Sequence, residues 1–226
     1  MPSMMRRLTT TLIGPRVPVE ELRAHKLRYA TPTVVFMLAR LMLLVSIFLP
    51  YWHMELDAPQ YPKGLQITAY VNHLEGDVKE IDGLNHYIGM RPIEQAAAFE
   101  RASAVWVMIA MVLLVEGAAF VHSKWAVLLA VPAVLFPAGF LLDLRFWLTT
   151  FGQNLDPSAP LSAAVKPFTP TVLGDGGIGQ FHTYSYMGWG LWLAFGCSVM
   201  TIVGFVFHRH AYRPLALKAR KGTSSQ

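Results

Sequence analysis

Histidine and methionine occur together at three places in the polar parts of the chain. The pairs are His53–Met54, His86–Met90 and His182–Met187. Imidazole nitrogen with thioether sulfur, and no thiolate, suits copper better than zinc. A spacing of four residues puts His86 and Met90 on one face if that segment is a helix. The pattern predicts a copper site drawn from these six residues, while each histidine alone is equally explained as a hydrogen-bonded structural residue.

Other patterns in the sequence give weaker indications of a chemical function. Cys197 is the only cysteine and lies in an apolar run, which excludes a disulfide within the chain and indicates a small packing residue. The run Gly174–Gly179 matches G-x-G-x-x-G but has no βαβ frame around it, so we interpret it as a turn-rich loop whose backbone another group approaches closely. No pair of acids has a spacing that favours hydrolysis. The chain is therefore predicted not to be an enzyme.

Composition decides which elements must position these residues. Of the 226 residues, 54% are hydrophobic and 15% are charged, against about 25% charged in soluble domains. This excludes a soluble enzyme, a disordered tail and a nucleic-acid-binding protein. Four apolar runs approach the roughly 20 residues that span a lipid bilayer, at 32–50, 102–121, 125–142 and 186–207. The predicted fold is an all-α membrane protein with four transmembrane helices.

The placement of lysine and arginine predicts the topology. Segment 1–31 has six of them, among them Arg6, Arg7 and Arg16, and the tail 208–226 has five, whereas loop 51–100 and its edge have four against eight acids. The positive-inside rule then predicts that both termini are cytoplasmic. The transmembrane domain covers 32–207, and its loops 51–100 and 143–184 face the periplasm of a bacterial inner membrane. At the cytoplasmic end of the last span, His208-Arg209-His210 is interpreted as a basic anchor at the membrane interface.

The first long loop has a pattern of its own. Apolar residues alternate from Leu65 to Val71, which predicts a strand. A turn at 75–77 and a returning strand at 78–81 should follow, with residues 93–100 leading helically into the second span. A small β-containing loop domain is therefore expected. Residues 18–27 predict a short amphipathic helix.

Two opposite charges lie within the predicted spans. Arg40 in the first span and Glu116 in the second lie roughly 9–12 Å from the same membrane surface, at 1.5 Å per helical residue. Charges at equal depth on sequential helices predict an ion pair that fixes helix register. The alternatives are an Arg40 side chain that reaches the interface, and a proton, ion or quinone-reactive path.

Three stretches stand out together: EGDVKEID with LNHYIGM at 75–90, GQNLDP with APL at 152–161, and PFTP leading to IGQF at 167–181. They resemble small four-span membrane proteins encoded in gene clusters for nitrous-oxide reductase, a periplasmic copper enzyme. The resemblance covers about residues 33–205. It is strongest at five residues, which are Asn85, His86, Tyr87, Gly89 and Met90. Gln153 stands where the resemblance leads us to expect histidine, which argues against a metal role for that loop.

The resemblance implies an accessory role, either copper delivery or membrane docking and electron supply for the reductase. A copper-handling protein would accept Cu(I) on exposed ligands and release it by ligand exchange. The alternative is a non-catalytic scaffold subunit without bound metal, in which Asn85, Tyr87 and Gly89 form a partner surface together with the glycine-rich loop. The predicted partners are the lipid bilayer and a periplasmic or membrane protein, with no nucleic acid.

Overall fold

The computed structural model describes residues 18–122, 125–161, 163–178 and 181–223. Arg6, Arg7, Arg16 and Gly179 lie outside these ranges. The elements are, in chain order, α1 Val19–Ala24, α2 Lys26–Ser46, β1 Trp52–Ala58, β2 Tyr61–Ala69, β3 Leu74–Gly76, α3 Val78–Ile88, a 3₁₀ turn Ile93–Gln95, α4 Ala98–Phe120, α5 Ala126–Gln153, β4 Gly174–Ile178, β5 Phe181–Met187 and α6 Trp189–Thr223.

Within the part of the chain that the structure describes, four helices are long and apolar enough to cross a membrane: α2, α4, α5 and residues Trp189–Pro214 of α6. The four predicted apolar runs are thus confirmed as helices of membrane-spanning length, and two of these helices extend well beyond the predicted runs. Helix α5 continues past 142 to Gln153, and α6 continues past 207 to Thr223. Asp143 and Arg145 lie within α5, because an isolated charge does not interrupt the backbone hydrogen bonds of a helix.

The chain folds as two compact units. The described residues of the first are 18–44, 108–122, 125–135 and 195–223, and it therefore contains parts of α2, α4, α5 and α6. Small side chains fill its interior, including Ala126, Ala130 and Ala133 on α5. Cys197 is fully buried here, as its interpretation as a packing residue requires. Small residues let membrane helices approach closely, which is how such bundles gain van der Waals contact.

The ion pair predicted for the spans is present in this unit. Arg40 of α2 and Glu116 of α4 are in direct contact, with side chains 16% and 43% exposed. The pairing fits the predicted role in helix register, because an unpaired charge at this depth is costly.

The interpretation of residues 208–210 as a basic anchor is wrong for His208. Its side chain is buried, with ring centroids 4.5 Å from Tyr212 and 5.2 Å from His122, whereas Arg209 and His210 are exposed. Because α6 remains helical here, position 208 returns to the face that packs on the bundle while its two neighbours turn away.

The second unit contains Val45–Val107 and Phe136–Ala194 and is built on a five-stranded antiparallel sheet. The strand order is β3-β2-β1-β5-β4, with β1 at the centre. One face of the sheet is buried: Trp52, Met54 and Leu56 of β1 pack with Leu65 and Ile67 of β2, and with residues of α3 and α5. The expected small β-element is thus a complete sheet, so the fold is mostly helical rather than all-α.

Two local predictions in this unit are wrong. Residues 78–81 do not return as a strand but begin helix α3, because Ile81, Asn85 and Ile88 recur at helical spacing and bury one face. The segment 93–100 is not one helical lead-in: a 3₁₀ turn ends at Gln95, and Ala97 takes a φ of 51° before α4 begins. The strand predicted near 65–71 is confirmed as β2, which ends at Ala69.

The glycine-rich run forms strand β4 rather than a turn-rich loop, and it pairs with β5 as a hairpin. Glycine is depleted in strands, so composition alone argued against this assignment. The expected close approach does occur. A Cβ on Gly176 would lie 2.6 Å from the Thr171 hydroxyl and 2.7 Å from that of Thr183.

Candidate functional site

The face of the sheet that turns away from the core is the candidate site, and we call it the open face. Alternate residues of each strand point this way, because side chains alternate along a strand. The register of β1 with β5 places Glu55 opposite Tyr184 and Asp57 opposite His182. The open face consists of His53, Glu55, Asp57, Gln66, Thr68, Glu75, Asp175, Gly177, His182, Tyr184 and Tyr186.

Aromatic rings form the centre of this face. Tyr184 and Tyr186 are 49% and 38% exposed, with ring centroids 5.6 Å apart. The imidazole of His53 stacks on Tyr186 at 4.9 Å, and the Tyr186 hydroxyl donates to Glu55 Oε1 at 3.4 Å. Burial, and then the Glu55 carboxylate, raise the pKa of Tyr186 above its ordinary value, so its hydroxyl remains a donor.

His53 is less exposed than His182, the other histidine on this face. Its Nδ1 lies 3.1 Å from the Thr68 hydroxyl of the neighbouring strand. Burial lowers the pKa of His53 below 6.5, and the Glu55 carboxylate opposes that shift only in part. His53 therefore acts as a neutral ring that packs between strands at neutral pH.

The open face is mainly acidic. Four of its positions are acidic, namely Glu55, Asp57, Glu75 and Asp175, and no Lys or Arg is among the paired residues that the register assigns to this face. Lys63 of β2 is exposed beside the register shift of the β1–β2 pair. His73 lies 3.2 Å from Glu75 at one edge. Exposed tyrosines within an acidic surface can provide contact area to a partner while the carboxylates attract cationic groups.

The histidines and methionines predicted as copper ligands do not gather. His53 and Met54 are neighbours in β1, so His53 is on the open face and Met54 is in the core. His182 faces Asp57, four residues along β1 from His53, which separates the two backbone positions by about 13 Å along the strand. Met187 is opposite Trp52, on the core side of the sheet. One metal ion needs ligands within about 2.0–2.3 Å of itself, so these four residues cannot share one.

The pair His86 and Met90 is also divided. Helix α3 ends at a left-handed Gly89 with φ 81°, so Met90 leaves the helical face that carries His86. His86 is exposed, whereas Met90 is 6% exposed and packs with Ile88 and Phe151. The prediction that the two share a helix face is wrong. Over the described ranges, no group of three or more His, Cys, Asp or Glu side chains could hold a metal.

The three stretches that carry the family resemblance do pack together in this unit. Asp156 N–H donates to Gly89 O at 2.8 Å, and Leu161 N–H donates to Tyr87 O at 2.9 Å. Phe168 N–H donates to Gly152 O at 3.0 Å. Two hydrogen bonds from Ser158 lower the pKa of Asp156, which keeps that carboxylate ionised beside His86. We call these segments, 85–90 with 151–168, the loop cluster.

The predicted partner surface at Asn85, Tyr87 and Gly89 is only partly a surface. Tyr87 is 54% exposed, but Asn85 is 7% exposed and Gly89 is buried. A Cβ on Gly89 would lie 2.5 Å from Asp156 O, so glycine is required by contact as well as by its φ. The segment packs on residues 151–168, not on the glycine-rich run as the scaffold hypothesis supposed.

Sequence reasoning missed the open-face residues Glu55, Asp175, Tyr184 and Tyr186. The signal was present in FHTYSYM at 181–187, where large and small side chains alternate with the period of a strand.

Comparison with protein-family models, with curated proteins and with solved structures finds no match to this chain. The open face and the loop cluster therefore carry the functional proposal by their own geometry.

Proposed function

We propose that this protein is a non-catalytic membrane subunit that docks a soluble partner protein on the open face of its sheet. The observation that supports this most directly is the combination of Tyr184 and Tyr186, both exposed, with four carboxylates on one face. Membrane spans anchor the chain, and the sheet offers a rigid surface outside them. The partner's matching surface carries Lys and Arg.

Charge and tyrosine contribute differently to such docking. Complementary charge raises the association rate and selects the partner, and it weakens as salt rises. Exposed tyrosines supply contact area with little loss of side-chain entropy, and they are frequent among residues that dominate binding energy. Tyr186 is held by His53 and Glu55, so its ring is already ordered before the partner arrives.

The proposal extends to topology and partner identity. With both termini in the cytoplasm, as the positive-inside rule predicts, the sheet faces the periplasm of a bacterial inner membrane. The resemblance of the stretches at 75–90, 152–161 and 167–181 to proteins of nitrous-oxide reductase gene clusters makes that reductase the first partner to test. Copper handling stays a prediction, and the separation of its six candidate ligands gives it less support than docking has.

The test is site-specific photo-crosslinking in a host cell that produces the partner. A benzophenone amino acid replaces Tyr184, and the adduct is identified by mass spectrometry. We expect one soluble protein with a basic surface. The adduct should fall at least tenfold when Glu55→Gln, Asp57→Asn and Asp175→Asn are combined.

Two controls make the result decisive. The same probe at Phe99, exposed on α4, should not give this adduct. The matched charge variant Glu80→Gln with Glu94→Gln removes exposed acids outside the open face and should leave the adduct unchanged. An adduct that is insensitive to the open-face variant, or no soluble adduct from position 184, would overturn docking on this face. Purified nitrous-oxide reductase then tests the partner separately.

A further inference from the structure

A cavity of about 390 Å³ lies in the second unit, beneath the core side of the sheet. The first turns of α4, the C-terminal half of α5 and strands β1 to β3 line it. Its walls are almost wholly apolar and rich in aromatic rings, which are those of Trp52, Tyr70, Phe136, Phe140, Trp147 and Phe151. Pockets of about 300–1,000 Å³ with apolar walls and a few polar groups are typical small-molecule sites.

The lining has three charged residues, besides the hydroxyl-bearing residues Tyr70 and Ser103. Glu100 on α4 and Asp143 on α5 both line the cavity. Arg101 donates from its guanidinium to the carbonyl oxygens of Ala96 and Glu94. A guanidinium has five N–H donors, so donors remain for a ligand. The lining thus offers two carboxylates and one guanidinium.

This set of charges selects one headgroup chemistry. A phosphate accepts from a guanidinium, and a primary ammonium donates N–H bonds to carboxylates. A free fatty acid would set its own carboxylate against Glu100 and Asp143. A choline group has no N–H to donate, and a glycerol headgroup has no positive charge.

The apolar walls select the rest of the ligand. Helices α4 and α5, which form much of the lining, are two of the helices long enough to cross a membrane. The hydrocarbon next to these helices in a bilayer is lipid. We infer that the cavity holds one acyl chain of a phosphatidylethanolamine, whose ammonium lies at Glu100 and Asp143 and whose phosphate lies at Arg101.

The test uses native mass spectrometry of the full chain, stripped of lipid in detergent. Synthetic phosphatidylethanolamine, phosphatidylcholine and phosphatidylglycerol with identical chains are titrated separately. We expect each chain to retain one phosphatidylethanolamine. The lipid concentration needed for this retention should be at least fivefold lower for phosphatidylethanolamine than for the other two lipids. Glu100→Gln with Asp143→Asn should reduce that preference below twofold, because the ammonium loses its carboxylates.

A second variant tests the cavity itself. Gly139 lines it, and a Cβ there meets nothing within 4 Å, so Gly139→Leu should fold and fill the space. We expect at least a tenfold loss of the retained lipid. Ala138→Leu is the matched control, because position 138 is exposed, lies next along α5 and does not line the cavity.

Each outcome bears on the inference. Retention that survives Gly139→Leu would mean ordinary lipid at the protein surface and would overturn the cavity site. Retention lost in Gly139→Leu but equal for all three lipids would overturn the headgroup assignment. Thermal unfolding of each variant verifies that it is folded, and the isosteric Asp143→Asn alone tests the headgroup if the larger change fails to fold.

Discussion

The imidazole of His53 lies nearly parallel to the phenol ring of Tyr186, with centroids 4.9 Å apart and 21° between the planes. Its Nδ1 lies 3.1 Å from the hydroxyl of Thr68 on the opposite strand. One side chain of the central strand therefore contacts both neighbouring strands. This contact joins β1, β2 and β5 at one end of the sheet, where β1 follows α2 in the sequence and β5 precedes α6.

His53 should make the stability of the sheet depend on pH. Burial lowers the pKa of His53 in the folded protein below 6.5. As pH falls below about 6.5 the unfolded chain takes up the proton first, so stability is full above that pH and declines below it. The slope should not exceed about 1.4 kcal/mol per pH unit for one proton. Thermal unfolding by tryptophan fluorescence between pH 5 and 8 measures it.

The variant His53→Gln should flatten this profile. His182→Gln is the matched control: it removes an exposed imidazole from the same face but leaves His53 in place, so the slope should persist. A slope that is unchanged in His53→Gln would show that another group causes the pH dependence.

Gly89→Ala should weaken the loop cluster. A left-handed backbone costs a residue with a Cβ roughly 1–2 kcal/mol, and the added methyl would also meet Asp156 O at 2.5 Å. The expected result is a lower thermal midpoint and faster proteolysis of residues 151–168. Gly83→Ala is the control within the same helix, since its Cβ meets nothing within 4 Å. Alanine there should be neutral or stabilise by about 0.5–1 kcal/mol; a larger loss from Gly83→Ala than from Gly89→Ala would contradict the assignment.

The pair Arg40–Glu116 should behave as a coupled structural unit. Glu116→Gln leaves the Arg40 guanidinium unpaired within the spans, which should cost about 3 kcal/mol. The double variant Arg40→Met/Glu116→Met removes both charges and should recover most of that loss. A double-mutant cycle of thermal midpoints in lipid nanodiscs measures the coupling. Additive losses would mean that the two side chains contribute to stability independently, which would contradict their role as a coupled pair.

The proposed topology predicts which residues react with a membrane-impermeant maleimide. In a Cys197→Ala background, Lys63→Cys in the exposed β1–β2 hairpin should be labelled in intact spheroplasts. Glu20→Cys on α1 should be labelled only after lysis. The reverse pattern would place the sheet in the cytoplasm.

Elements with a strong period were predictable from the sequence. The four spans, the strand near Leu65 and the Arg40–Glu116 pair all follow from local pattern and from depth in the membrane. Helix α3 was missed because the turn signal at Gly76 is equally typical of a hairpin. Strand β4 was missed because it contains three glycines, a residue type that is depleted in strands. Its stability comes from pairing with β5.

The candidate site was less predictable, because ligand geometry depends on the element that carries each residue. His53 and Met54 are adjacent in sequence, and a strand sends adjacent side chains to opposite faces. His86 and Met90 have the right helical spacing, but Gly89 ends the helix between them. His208 is buried because its side of α6 packs on other helices. The spacing of residues within α6 alone does not reveal which side that is.

The pairing of β1 with β5 has a consequence for how the chain is made. Tyr186 and Glu55, in contact across these strands, are 131 residues apart in sequence. During synthesis the hairpin of β1 and β2 emerges early, but the central strand keeps an unpaired edge until β5 has been made. A ribosome stalled before residue 181 would leave that edge exposed, and such edges recruit other strands. The arrival of β5 therefore closes the sheet, and the open face is complete only once residue 187 has been made.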